Sequence, residues 1–207
     1  MIPSLDIESA LSALSEGRVI AVPTDTVYGV AASLGHREAI ASLFALKQRP
    51  TSVALPILVD SIEQIEACGV DWPRSATRLA TAFWPGPLTI VVAVPEHLAT
   101  LVGSTTSSAG FRIPNDEGLR AILSRSGPLC VTSANNHGDP PCQSASQVRA
   151  AFETSTQLAG IVDAGDRAGT VSTVVELSER SWRVLREGAI DASRIAAILG
   201  DDGTISR

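Results

Sequence analysis

The sequence is short of the residues that mark several common kinds of protein. Aromatic side chains make up only 4% of its 207 residues, too few for the base-stacking platforms of single-stranded nucleic-acid binders. The three histidines, His36, His97 and His137, are too scattered to build a zinc site. The three cysteines, Cys68, Cys130 and Cys142, are odd in number and lack metal-ligand spacing. They read as reduced structural thiols, which suits the cytosol. No apolar run approaches the roughly 20 residues of a membrane span. The opening Met1-Ile2-Pro3-Ser4-Leu5-Asp6 has neither the basic start nor the apolar stretch of a signal peptide. The expectation is a cytoplasmic protein with no membrane partner. Gly169-Thr170-Val171-Ser172-Thr173 lacks the lysine and glycine spacing of a phosphate loop, and neither Gly-x-Gly-x-x-Gly nor Gly-x-Ser-x-Gly occurs. Positive charge is also in deficit: 16 Lys and Arg face 22 Asp and Glu, a formal net charge of −6. That argues against broad electrostatic binding of nucleic acid. It leaves room for a local basic pocket, and cations that converge on one site in an acidic chain point to an anionic ligand.

What is present is enough for a globular core: 44% hydrophobic residues and a mean hydropathy of +0.20. The expectation is one domain over residues 1–207, with its core at about 5–190 and a polar tail at about 200–207. Asp6 can cap a helix whose apolar face is Ile7, Leu11 and Leu14. Strands are expected at 18–22, 27–32, 54–59, 88–94, 108–113, 129–132, 160–163, 172–177 and 182–185. Helices are expected at 36–46, 61–68, 75–83, 115–125, 144–152 and 190–199, with Ser144 and Gln147 as a capping box. Some strands follow one another directly, so the pattern predicts an α/β (α+β) chain: a twisted mixed sheet with helices on both faces, not a purely parallel one.

The chain is organised around Val22-Pro23-Thr24-Asp25-Thr26-Val27-Tyr28-Gly29-Val30, a turn between two apolar strands in which two hydroxyls flank a carboxylate. Other polar or cationic residues also fall at the ends of strands and helices: Lys47 and Arg49, Arg112, Thr132 to Asn135, Ser172 and Thr173, and Arg186. Each has an ordinary structural reading. Lys47 and Arg49 could complement a helix dipole, and Arg186 could form a local ion pair. Loops at strand ends nevertheless can converge on one crevice from distant parts of a sequence.

Taken together these stretches resemble a family, the YrdC-like (TsaC-type) threonylcarbamoyladenylate synthases. The matching motifs are Pro23-Thr24-Asp25-Thr26-Val27-Tyr28-Gly29, Lys47-Gln48-Arg49-Pro50 and Trp84-Pro85-Gly86-Pro87-Leu88-Thr89. They continue with Arg112-Ile113-Pro114, Thr132-Ser133-Ala134-Asn135, Ser172-Thr173-Val174 and Arg186-Glu187-Gly188. The resemblance implies a twisted mixed sheet around a concave, positively charged cleft. It implies a nucleotidyltransferase that converts L-threonine, bicarbonate and ATP, with Mg2+ accompanying the ATP, to threonylcarbamoyl-AMP and pyrophosphate. The product would pass to the machinery that transfers the threonylcarbamoyl group to adenosine 37 of tRNA. The nucleophile then comes from the substrates: the amine captures bicarbonate as a carbamate, whose oxygen attacks the α-phosphorus. Such a protein needs positioning and charge neutralisation, not a serine, cysteine or histidine nucleophile.

Carried over by position, the resemblance implies Lys47 and Arg49 as catalytic residues that also bind phosphate or carbamate. It implies Thr26, Arg112, Ser133 and Ser172 as contacts to threonine or bicarbonate, with Arg112 on the carboxylate. Ser108, Thr132, Asn135 and Arg186 join Lys47 and Arg49 around ATP, and no protein-held metal is implied. The chain departs from the family in Thr51-Ser52-Val53-Ala54-Leu55-Pro56, where Val53 offers no phosphate contact, in His137 for a serine, and in Leu58 where some members carry histidine. The additional C-terminal domain of longer relatives is not expected, with 21 residues after Arg186. Two other readings remain open at the level of sequence. One is an RNA-binding or ribosome-maturation module with an RNA contact at a basic cleft. The other is a paralogue that makes a different carbamoyl-adenylate.

Overall fold

The computed structural model describes residues 2–47, 53–135, 139–167, 169–178, 181–200 and 203–205. In chain order the elements are β1 (Ser4–Leu5), α1 (Ile7–Ser15), β2 (Val19–Pro23), β3 (Tyr28–Ser33), α2 (Arg37–Leu46), β4 (Ile57–Leu58) and α3 (Ile62–Ala67). There follow α4 (Arg74–Phe83), β5 (Leu88–Ala93), α5 (Glu96–Val102), β6 (Ser108–Arg112), α6 (Glu117–Ser126), β7 (Leu129–Ser133) and α7 (Ala145–Ala151). The last are β8 (Leu158–Val162), β9 (Thr173–Leu177), β10 (Trp182–Arg186), α8 (Ala192–Leu199) and β11 (Gly203–Ile205). All strands join one sheet in the order β1-β8-β2-β3-β7-β4-β6-β5-β9-β10-β11. Its pairings are both parallel and antiparallel, as the sequence pattern implies.

The period of two along each strand sorts side chains onto two faces. On one face Val19 and Ala21 of β2, Val30 of β3, Ile57 of β4, Leu88 and Ile90 of β5, Phe111 of β6 and Val175 of β9 join the larger core. Helices α2, α4, α5, α7 and α8 cover that face through residues such as Leu43, Leu79, Leu98, Val148 and Ile195. On the other face Ile20 and Val22 of β2, Ala31 of β3 and Val131 of β7 meet only α1 and α6, through Ala10, Leu14, Leu119 and Ile122. Each fully buried leucine or isoleucine contributes roughly 1.5–3 kcal/mol relative to exposure. Where both faces are covered, as at β2, the sequence reads as an unbroken apolar run.

This division creates the cleft. Helices α1 and α6 cover β2, β3 and β7. Beyond them, among the described residues, no helix packs on the same face of β6, β5, β9 and β10. Thr89 and Val91 of β5, Ser108, Gly110 and Arg112 of β6, and Val174 and Glu176 of β9 line the open half. At Gly110 a β-carbon would lie 2.9 Å from Cγ2 of Thr89, so a larger residue would force Thr89 to shift.

Local chemistry sets several element ends. Asp6 accepts from the Ser9 amide at 2.8 Å at the start of α1, as the sequence predicts. Ser144 accepts from the Gln147 amide at 3.2 Å, and Oε1 of Gln147 accepts from Gln143, one residue ahead of the cap, at 2.7 Å. Asp191 stands at the N-cap of α8 but makes no side-chain cap bond. Three elements were not anticipated. Two-residue β1 and seven-residue α5 are too short for a periodic signal. Residues 203–205, expected as polar tail, instead form β11, parallel to β10. The strand expected at 54–59 shrinks to Ile57–Leu58.

The cysteines are free. Burial pushes the Cys130 thiol up to about 12, so it stays neutral and unreactive at pH 8. Alkylation of the native protein at that pH is expected to leave Cys130 unmodified, and mass spectrometry of the digest checks this. Rapid labelling at Cys130 would contradict its burial. No helix among the described residues is long and apolar enough to cross a membrane.

Candidate active site

The β2–β3 turn builds one end of the cleft. Oγ1 of Thr24 accepts from the amides of Thr26 at 3.1 Å and Val27 at 3.2 Å, and donates to the Val27 carbonyl at 2.7 Å. A hydroxyl that folds back on its own backbone fixes the turn without help from the sheet. It sets Asp25 and Thr26 toward β6. There Arg112, 5% exposed, donates from Nη2 to Oδ1 of Asp25 at 2.6 Å and from Nη1 to Oγ1 of Thr26 at 3.3 Å. Its Nε donates to the Gly86 carbonyl at 3.0 Å. Gly86 belongs to the Trp84-Pro85-Gly86-Pro87 turn, in which the Trp84–Pro85 bond is cis. That turn is pinned by Nε1 of Trp84 on the Leu88 carbonyl, at 2.7 Å, and by the stacking of Trp84 on Trp72, with centroids 5.6 Å apart. Burial pulls the Arg112 guanidinium below its usual range while Asp25 opposes the shift. A guanidinium stays protonated regardless, so Arg112 and Asp25 form a buried ion pair with side chains 6% and 12% exposed.

Across the sheet, β9 and β10 supply the second cationic group. Arg186 donates from Nε and Nη2 to the Ser172 carbonyl, at 3.1 and 2.8 Å, and from Nη2 to Oγ of Ser172 at 2.9 Å. Oγ of Ser172 lies 3.0 Å from Oγ1 of Thr89. Among the described residues no carboxylate pairs with Arg186. Among those residues its hydrogen bonds go to neutral oxygens, the arrangement of a group available to an anionic ligand.

A third side is rich in hydroxyls. Oγ of Ser133 donates to Oδ1 of Asn135 at 2.6 Å, and Nδ2 of Asn135 donates to the Asp139 carbonyl at 2.8 Å. Lys47, the C-cap of α2, donates from Nζ to Oδ1 of Asn135 at 2.8 Å and also to its backbone carbonyl. On the rim, Oγ of Ser108 lies 2.9 Å from Oγ1 of Thr106, which in turn contacts Ser104. Ser107 between them takes φ 50°, a left-handed conformation uncommon outside glycine.

The cavity has a volume of about 550 Å3. Of the residues singled out from sequence, Thr26, Ser108, Arg112, Thr132, Ser133, Ser172 and Arg186 line it. They come from the β2–β3 turn, β6, β7, the residue before β9, and β10. Lys47 and Asn135 do not line it and stand behind Ser133. Arg49, Thr51, Ser52 and His137 lie outside the described residues. Thr89, Ser104, Thr105, Thr106 and Glu176 line the cavity without having been singled out. The hydroxyl run Ser104-Thr105-Thr106-Ser107-Ser108 is plain in the sequence, although only its last residue was selected.

The sequence offers Lys47 as a complement to a helix dipole, and the structure gives it a further role. A residue at a helix end should cost little to truncate, but Lys47 is 5% exposed and ties α2 to the loop after β7. Lys47→Ala is expected to cost about 1.5–3 kcal/mol, the usual range for hydrogen bonds from a charged group. A lower urea midpoint at unchanged slope would show it, and an unchanged midpoint would contradict it.

A family model described as telomere recombination, that of Sua5, YciO and YrdC, matches residues 12–188. The chain belongs to the Sua5/YciO/YrdC family. A Mycobacterium leprae relative, provisionally named a threonylcarbamoyl-AMP synthase, is 37% identical over 196 residues, covering 94% of this chain and 88% of its own. The Pyrococcus abyssi threonylcarbamoyl-AMP synthase is 34% identical over 94% of this chain, which spans 57% of the archaeal protein. The crystal structure of P. abyssi Sua5 complexed with L-threonine matches at a TM-score of 0.89 with 32% identity, over 96% of this chain and 58% of that one. Escherichia coli YciO shares the fold at a TM-score of 0.80 with 22% identity, over 91% of this chain and 92% of its own. The family's mixed α/β architecture is therefore the architecture seen here.

Proposed function

We propose that this chain is a threonylcarbamoyl-AMP synthase, a nucleotidyltransferase that joins L-threonine, bicarbonate and ATP with release of pyrophosphate. The observation that carries the reading is a relationship, over 94% or more of the chain, to proteins of that name. The cleft is chemically suited to the reaction. Threonine and bicarbonate condense to a carbamate with loss of water. A carbamate oxygen then attacks the α-phosphorus of ATP, and the bond to pyrophosphate breaks. Carbamate, carboxylate and triphosphate repel one another, so the protein must hold anions together. Arg186, bonded to neutral oxygens, has the charge for that, and Ser133, Ser172 and Thr26 supply polar contacts around it.

Among the described residues no cluster of three or more His, Cys, Asp or Glu is placed to hold a metal ion. Mg2+ enters as part of the substrate MgATP, held chiefly by phosphate oxygens. The product is an activated carbamoyl donor for the threonylcarbamoylation of adenosine 37 in tRNA, by an acceptor system in the cytoplasm.

Purified protein is expected to release pyrophosphate only when ATP, L-threonine, bicarbonate and Mg2+ are all present. Release without threonine, or none with all four, would contradict the reading.

A further inference from the structure

The connection from β8 to β9 runs against the β2–β3 turn, and it is pinned before it gets there. Oη of Tyr28 accepts from the Ala164 amide at 3.3 Å and donates to the Gly165 carbonyl at 2.8 Å. The Arg167 amide donates to the Gln143 carbonyl at 2.6 Å. Nη2 of Arg167 donates to Oδ2 of Asp116 at 2.8 Å, and Asp116 is itself fixed as the N-cap of α6. Strand β3, the residues ahead of α7 and the start of α6 therefore all hold this connection.

Gly169 then meets the turn backbone to backbone. Its amide donates to the Thr26 carbonyl at 3.1 Å. A β-carbon at 169 would lie 2.7 Å from both Cα and the carbonyl oxygen of Thr26, and 2.9 Å from the carbonyl oxygen of Asp25. All three are backbone atoms, so no side chain can rotate away to make room. Through its side chains the same turn is bonded to Arg112, from Asp25 at 2.6 Å and from Thr26 at 3.3 Å. The turn is thus seated by its backbone on Gly169 and by its side chains on Arg112. Neither Gly169 nor Arg167 lines the cleft.

A methyl group at 169 has to move either the connection or the turn. The connection is tied to three elements close to this point. The turn keeps its internal shape through Thr24, so it moves as a unit and carries Asp25 and Thr26 off Arg112.

We infer that Gly169 is a positioning residue for the cleft: having no side chain, it lets the connection seat the β2–β3 turn against Arg112, and the Arg167–Asp116 pair holds the connection in place to do so. The inference rests on the threonine reading above, in which this turn and Arg112 stand around the amino acid.

The test joins crystal structures of wild type and Gly169→Ala, both without ligand, to calorimetric titration with L-threonine and with ATP. In Gly169→Ala the Asp25–Arg112 contact is expected to open beyond hydrogen-bond distance while Arg167 stays on Asp116. L-Threonine is expected to bind about tenfold more weakly, within what a displacement of roughly 1 Å can cost. ATP affinity is expected to stay within about twofold of wild type, a change of less than about 0.5 kcal/mol. A contact kept at its present length, or an unchanged threonine affinity, would overturn the inference. Equal losses for threonine and ATP would mark general loosening of the fold and overturn it too. Should Gly169→Ala fail to fold, Arg167→Met reads the same device from its other end. It frees the connection and is expected to weaken threonine several-fold with ATP unchanged. Arg167→Lys, whose ammonium can replace the single bond to Asp116, is expected to restore threonine binding. Wild-type threonine affinity in Arg167→Met, or no recovery with lysine, would overturn the inference. A folded wild-type chain that takes up no threonine would overturn the functional reading alone, since the Asp25–Arg112 contact in the variant crystal still decides whether Gly169 seats the turn.

Discussion

Asp25→Ala is expected to lower the stability of the protein by about 3–5 kcal/mol, because it leaves a buried charge without its partner. The partner is Arg112, whose side chain is 6% exposed and whose Nη2 sits 2.6 Å from the lost carboxylate. The surrounding protein leaves the guanidinium little access to water. The size of the effect comes from the desolvation of the orphaned cation more than from the value of the pair. That distinction has its own consequence: Arg112→Met added to Asp25→Ala is expected to recover part of the loss, since the double variant buries no unpaired charge. Urea denaturation of the two variants checks both statements. A double variant less stable than Asp25→Ala by the full cost of a second lesion would contradict the account.

Arg186→Met is expected to act on catalysis instead. The residue lies at the cleft end of β10 and, among the described residues, donates only to Ser172. Its removal deletes a preorganised donor and a positive charge where anionic reactants meet. A fall of about 100-fold in kcat/KM for ATP follows, at the lower end of what one such donor contributes in comparable sites. The melting temperature should move by only a few degrees, since the bonds lost lie at a strand end and no core residue is disturbed. Arg186→Lys should recover little, because an ammonium cannot reproduce the fork that spans the carbonyl and hydroxyl of Ser172. Near-wild-type turnover by Arg186→Met would remove this residue from the site.

These two predictions concern contacts of different legibility. The alternation that makes Arg112, Glu176 and Thr89 face the cleft can be read directly: Leu88-Thr89-Ile90, Phe111-Arg112-Ile113 and Val175-Glu176-Leu177 alternate apolar and polar residues along each strand. The turn at 23–29 is marked by its proline, hydroxyls and glycine. The pairings are another matter. Asp25 and Arg112 are 87 residues apart, and Lys47 and Asn135 are 88 apart. What brings them together is the order of strands in the sheet, with β7 followed by β4 and β6, and no local pattern encodes that order. For the same reason the sequence shows Lys47 only as a helix end. The contacts that bury it come from the loop after β7. The hydroxyl run at 104–108 was visible but had no structural weight until β6 placed Ser108 on the cleft side. Strand β11 was hidden because a three-residue strand at the edge of the sheet is specified by its neighbour, β10, and not by its own sequence.

The central claim is that the carbon of bicarbonate is carried into an adenylate through threonine. The measurement that tests it most directly is mass spectrometry of the nucleotide product formed from ATP, L-threonine and 13C-bicarbonate. The account predicts an adenylate that contains threonine and one labelled carbon, formed in equal amount with pyrophosphate. An adenylate of threonine without the label would mean that the amino acid's own carboxylate attacks the α-phosphorus, and would contradict it.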